Sequence, residues 1–221
     1  MPHTVAHTHD GADGSGALAL YVPASIVDAK GDLIVGSAAD TVARLAPPAS
    51  HLYVPRFVSG TGIRWVLDKI VKAADETVNN SSALQNDDHF AVAVAANEVW
   101  FFTMFLDVAP SSATMDFKAG WGVTGTVTTR WGLLATNAPS GTTTPGFTAV
   151  ATTGTTVRMR DETETISVGT GNLTHQPIAF AGWLRGGAAG GVATFKWAQD
   201  VAEAADLKVL KDSVMRLDWL V

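Results

Sequence analysis

From His89 onward, apolar and polar residues alternate with a period of two, the pattern of strands whose two faces meet different surroundings. His89–Ala95 and Val99–Val108 are the strongest of these strands, with Ala96, Asn97 and Glu98 turning between them. In the second strand Val99, Phe101 and Phe105 face one way, while Trp100, Phe102, Met104, Leu106 and Val108 face the other. A strand apolar on both faces must be covered on both. An opposing sheet supplies one cover, and the second face predicts a neighbouring subunit. Further strands are expected at Met115–Trp121, Thr126–Leu134, Phe147–Thr152, Thr156–Arg160, Glu164–Gly169, Pro177–Leu184, Val192–Ala198 and Asp206–Val221. At the close, Val214, Arg216 and Asp218 alternate against Met215, Leu217 and Trp219, so the chain is expected to end inside a sheet. Strands at spacings of roughly eight to fifteen residues predict an all-β chain built on an antiparallel sandwich of jelly-roll or tumour-necrosis-factor-like type, an architecture often trimeric.

The first third is organised differently. Residues 1–26, with His3, His7, His9, Asp10 and Asp13 ahead of Gly14-Ser15-Gly16, read as an extended arm. Residues 27–68 read as a β-hairpin connector, and 69–221 as the sandwich. Within the connector Asp32–Ser37 alternates as a strand, with Leu33 and Val35 on one face and Ile34 on the other. Ala38 to Thr41 supply a turn, and Val42–Leu45 run back. A lone hairpin buries too little to hold itself, and identical copies from other chains are the simplest neighbours. Pro47 and Pro48 then break the ladder. Residues 51–67 follow as two short extended pieces parted by Ser59-Gly60-Thr61-Gly62. Ile70–Val78 fits either a helical stripe or a strand, and Asn79–Asp88 reads as a polar connection.

Composition sharpens the picture. Hydrophobic residues make up 47% of the chain and charged residues only 16%, with seven Trp and nine Phe, so apolar faces are expected to meet other subunits. A net charge of −6 argues against binding nucleic acid by neutralising phosphates. The absence of cysteine excludes a disulfide framework and any thiolate metal site. No apolar run approaches the length of a membrane span, and MPHTVAHTHDG has neither the basic nor the apolar region of a secretory signal.

Candidate chemistry is sparse. His7 and His9 form an H-x-H pair that projects to one side of an extended strand. Three such pairs on a trimer axis would offer imidazoles in an octahedral arrangement to a divalent transition metal; an exposed arm whose histidines fall close together is the competing reading. Asp161, Glu162 and Glu164, and Asp87 with Asp88, are acids of the kind glycoside hydrolysis pairs across a groove, but nothing in their spacing sets them opposite one another. No nucleophile elbow, phosphate-binding glycine loop or H-E-x-x-H is present, and the chain reads as non-enzymatic. Among the tryptophans, Trp121 and Trp131 lie beside glycines near strand ends and are the candidates for stacking on host sugars. The run Gly186 to Gly191 reads as a flexible hairpin tip, and with Asn137–Gly146 it is a candidate host-contact loop.

Asp28–Ala46, DAKGDLIVGSAADTVARLA, resembles the DAKGDLIVGTAADTVARL segment of bacteriophage tail-fibre and other virion appendage proteins. The arm resembles the HxHxGxDGxG openings of the same proteins, and KAADETVNNSSALQNDDHFAVAVAANEVWFF resembles the first strands of their terminal jelly-roll domains. The last resemblance implies that Ile70–Val78 is a strand. Some phage fibres hold iron through H-x-H pairs on a trimer axis, which is what the resemblance implies for His7 and His9. It further implies a homotrimer attached to other virion proteins through the arm, made in the bacterial cytoplasm and carried in the particle. As a tail fibre or minor tail protein it would contact host-surface glycan. A capsid decoration protein or head fibre uses the same parts, and a polysaccharide depolymerase is a third alternative.

Overall fold

The structure, a computed structural model, describes residues 33–38, 41–46, 53–58, 62–136, 159–170 and 174–220. The arm with His7 and His9, the loop Asn137–Gly146 and the strand expected at Phe147–Thr152 lie outside the described residues. Among the described residues there are strands and no helix. The chain divides after Val66 into two compact units.

The first unit contains two strand pairs. β1 (Leu33–Ala38) and β2 (Thr41–Leu45) form the expected antiparallel hairpin, with Leu33 opposite Leu45 and Val35 opposite Ala43. Leu33 and Val35 are half-buried while Ile34 is exposed, as their alternation requires. β3 (Tyr53–Val58) pairs with β4 (Gly62–Leu67), leaving Phe57 76% exposed. Two-stranded pairs have one face too many to cover, and these retain apolar surface.

The second unit is an antiparallel β-sandwich. Its strands are β5 (Lys69–Val71), β6 (Glu76–Asn79), β7 (Gln85–Val94), β8 (Val99–Pro110), β9 (Asp116–Val123), β10 (Val127–Thr136), β11 (Ile166–Gly169), β12 (Gln176–Gly186), β13 (Gly191–Gln199), β14 (Asp206–Val209) and β15 (Val214–Trp219). One sheet has seven strands. β10, β12 and β8 lie side by side, and the far edge of β8 pairs with β15 along one part and β14 along another; β5 and β6 sit outside these. The other sheet runs β11–β9–β13–β7. With β5/β6 and β14/β15 each counted as one interrupted strand, the orders are β5/β6–β14/β15–β8–β12 and β7–β13–β9–β11. That is the strand order of a jelly roll, with β10 added beside β12.

The two interruptions correct the expectation of single strands at Ile70–Val78 and Asp206–Val221. They also face each other. The Lys72 N–H donates to the Ser213 carbonyl at 2.8 Å, and the Asp212 N–H donates to the Lys72 carbonyl at 2.9 Å. Asp212 holds a positive φ of 69°, turning the chain between β14 and β15 while Lys72 turns its side chain inward. The polar connection is also shorter than expected, because β7 begins at Gln85 with Asp87 buried on its inner face.

The core lies between the sheets and is aromatic. Phe102 meets Trp121 at 5.1 Å between ring centres and Phe180 meets Phe195 at 5.8 Å, each pair joining one sheet to the other. Fully burying such a side chain contributes about 1.5–3 kcal/mol. The alternation in β8 holds throughout: Trp100, Phe102, Met104, Leu106 and Val108 are buried, and Phe101 and Phe105 are not.

Candidate functional site

The outer face of the seven-stranded sheet collects the apolar side chains that the core leaves out. Each owes its place to strand parity: in β12, Phe180, Gly182 and Leu184 point inward, so Trp183 and Arg185 point outward. In β10, Val127, Thr129 and Trp131 are buried and Thr128 and Arg130 are exposed. Registers then place Trp183 between Phe101 on β8 and Arg130 on β10. Phe101 and Trp183 meet edge to face at 5.5 Å. Phe105, four residues along β8, lies opposite Val214 of β15. Phe105 and Trp183 remain 43% and 42% exposed.

Beside this patch, Thr128, Thr129, Arg130, Met159, Trp183 and Arg185 line a groove of about 500 Å³. An indole with two guanidinium groups beside it, Arg130 across on β10 and Arg185 along β12, offers a stacking platform with forked hydrogen-bond donors at its edge. Arg130 lies 3.7 Å from Asp161, with both side chains solvated, so the contact leaves the guanidinium accessible.

The tryptophans singled out by sequence lie elsewhere. Trp121 is buried against Phe102 and Phe195, and Trp131 against Phe180, its indole N–H donating to the Asp161 carbonyl at 3.0 Å. Neither ring reaches solvent, so neither can stack on a sugar; each shares strand parity with core residues, Trp121 with Phe117 and Trp131 with Val127. That parity was the available signal, and the neighbouring glycines pointed away from it. Gly120 and Gly182 make room for packed groups rather than exposing the indoles.

The candidate acids do not converge. Glu162 accepts from the Thr129 N–H at 3.0 Å, Glu164 accepts from the Asp161 N–H at 3.3 Å, and Asp161 accepts from Thr163, so Glu162 ties the turn onto β10 and the other two close the turn itself. Asp87 and Asp88 point to opposite sides of β7, with Asp88 exposed and Asp87 buried beside Lys72. Sequence reasoning passed over Lys72 altogether, because a lysine in a polar stretch looks solvated.

Gly186 to Gly191 is not a hairpin tip. It carries the chain from β12 in one sheet to β13 in the other. The Gly187 N–H donates to the Thr126 carbonyl and the Gly187 carbonyl accepts from the Asn97 N–H, while the Gly190 carbonyl accepts from the Thr126 N–H, so the run is tied into two adjacent turns. Among the described residues no group of three or more His, Asp or Glu is arranged to hold a metal ion, and no helix is long and apolar enough to cross a membrane. No protein-family profile matches the sequence, and no curated protein matches it.

Proposed function

We propose that the protein is a structural component of a bacteriophage particle, a homotrimeric tail-fibre or minor tail appendage that presents its β-sandwich to host-surface glycan. The observation that carries this reading is the Asp28–Ala46 phrase and its resemblance to virion appendage segments. Two features of the structure support it. Within the phrase Leu33–Ala38 and Thr41–Leu45 pair as a two-stranded hairpin, a unit too small to stand alone, and the sandwich that follows leaves Phe105 and Trp183 exposed on one face.

In this arrangement the arm attaches to other virion proteins, and neighbouring copies cover the Phe101–Phe105–Val214 patch. The groove of Trp183, Arg130 and Arg185 is the described surface suited to a sugar ring, which would stack on the indole and accept from the guanidinium groups. The role is assembly and multivalent contact: three weak sites on one rigid trimer gain avidity without any one being strong.

Quantitative mass spectrometry of purified virions, counting this chain against the major capsid protein, tests the reading. A few copies per particle are expected. Copy numbers that follow the symmetry axes of the shell would move the protein to the capsid as a decoration protein or head fibre, and absence from virions would end the proposal.

A further inference from the structure

Where β5 ends, Lys72 turns into the interior between the two sheets and is 0% exposed. Its Nζ lies 2.8 Å from Oδ2 of Asp87 on β7 and 2.6 Å from Oε2 of Glu76 at the start of β6. The Phe90 ring centre is 5.8 Å away, and the Trp197 indole N–H donates to the same Asp87 oxygen at 3.2 Å. The other Asp87 oxygen accepts from the backbone N–H groups of His89 and Phe90, at 2.9 and 3.0 Å. One amine is thus enclosed with two carboxyl groups in an aromatic interior. Lys72 and Asp87 are fully buried and Glu76 partly so; charges are expensive to keep there, and joining the two buried ones as an amide removes both.

We propose that Lys72 and Asp87 join in a self-catalysed intramolecular isopeptide bond, with Glu76 as the proton carrier. Lys72 gives one proton to Glu76 along their short hydrogen bond, which frees the nitrogen lone pair. The amine then attacks the Asp87 carboxyl carbon, one bond beyond an oxygen it already touches; holding the reactants in contact removes most of the entropic barrier. Charge gathers on the oxygen held by the His89 and Phe90 N–H groups, the arrangement that stabilises an acyl-transfer oxyanion. Glu76 passes its proton to the other oxygen and relays a second from the nitrogen. That oxygen leaves as water, and Glu76 ends ionised as it began. The C–N bond forms, one C–O bond breaks, and the third nitrogen proton stays on the amide.

Asp87 rather than Glu76 is the acceptor because only its carboxyl has an oxygen fixed by two backbone donors. Glu76 is held at its far oxygen by Gln85 Nε2, while the oxygen facing Lys72 accepts from one backbone donor, the Asp88 N–H at 3.2 Å, and lies close enough to Lys72 to carry protons. The bond would join β5 of the seven-stranded sheet to β7 of the four-stranded sheet, fastening the strand by which the chain enters the sandwich.

The test is the intact mass of the purified full chain, measured after denaturation. The expected mass is one water below that of the sequence, with a protease fragment in which the peptides bearing Lys72 and Asp87 are linked. Glu76→Gln keeps a hydrogen-bonding side chain but no proton carrier, and is expected to show the full mass while retaining the β-sheet circular dichroism of the wild type. Asp87→Asn is expected to lose ammonia in place of water. A wild-type chain at full sequence mass after prolonged incubation in native buffer would overturn the proposal, as would a link mapped to Glu76. If Glu76→Gln does not fold, the wild-type mass and the mapped fragment decide alone.

Discussion

Gly182 shows how little room the interior leaves at a single position. A Cβ there would lie 2.2 Å from the Arg130 carbonyl oxygen and 2.7 Å from the Trp131 Cα, so backbone would have to move. Gly182→Ala is expected to destabilise the fold by about 1–3 kcal/mol, read from the midpoint of urea unfolding. Asp116, at the head of β9, makes an electrostatic prediction. Partial burial pushes its carboxyl above the ordinary value and nearby Asp200 and Glu203 add to this, while a hydrogen bond from the Thr170 backbone opposes them. A carboxyl raised in the folded state favours folding in its protonated form. Its contribution is complete below the unfolded pKa and is lost as pH rises through the folded one. Asp116→Asn should therefore unfold at higher denaturant than the wild type near neutral pH, with the gap closing as pH falls into the acid range. A constant gap across that range would contradict the assignment.

The crossing at Gly186–Gly191 carries the main lesson at the level of the element. Glycine and alanine between two strong strands read as a loose tip, yet Gly190 sits at φ 65° with Val94 O 2.5 Å from where a Cβ would stand, and Gly191 sits at φ 151°. These glycines let three turns pack against one another at one end of the sandwich. Gly190→Ala is expected to cost about 1–3 kcal/mol through the left-handed backbone and the overlap together, where a free loop tip would tolerate it. Thermal melts of the two proteins separate these cases. The break between β5 and β6 is a second element that local pattern hid. Its residues favour a strand or a helix equally, and the break exists because Lys72 is drawn inward and Ser213 takes its N–H.

For the whole molecule, the outer face of β8 and β12 decides the expected behaviour. Phe101, Phe105 and Val214 form an apolar strip on a chain with few charges, so full-length protein is expected to sediment as a trimer. Phe105→Glu places a carboxylate in the middle of that strip and should shift the species toward the monomer while leaving the β-sheet spectrum intact. A monomeric wild type at micromolar concentration would remove the face from the interface. Most of the sandwich strands and their inward and outward faces were legible in the sequence, because alternation is local and records whether each side chain meets core or solvent. The hairpin at Leu33–Leu45, the two faces of β8 and the half-buried close at β15 all followed from it. Pairing is a different kind of fact: which strand lies beside which depends on residues far apart in the chain. Only the tertiary structure set β12 and β13 in different sheets, put Trp183 next to Arg130, and brought Lys72 to Asp87 across the sandwich. A polar residue that faces inward looks like any solvated one until its distant partner is in place, and that is why the cluster of Lys72, Glu76 and Asp87 stayed hidden in the sequence.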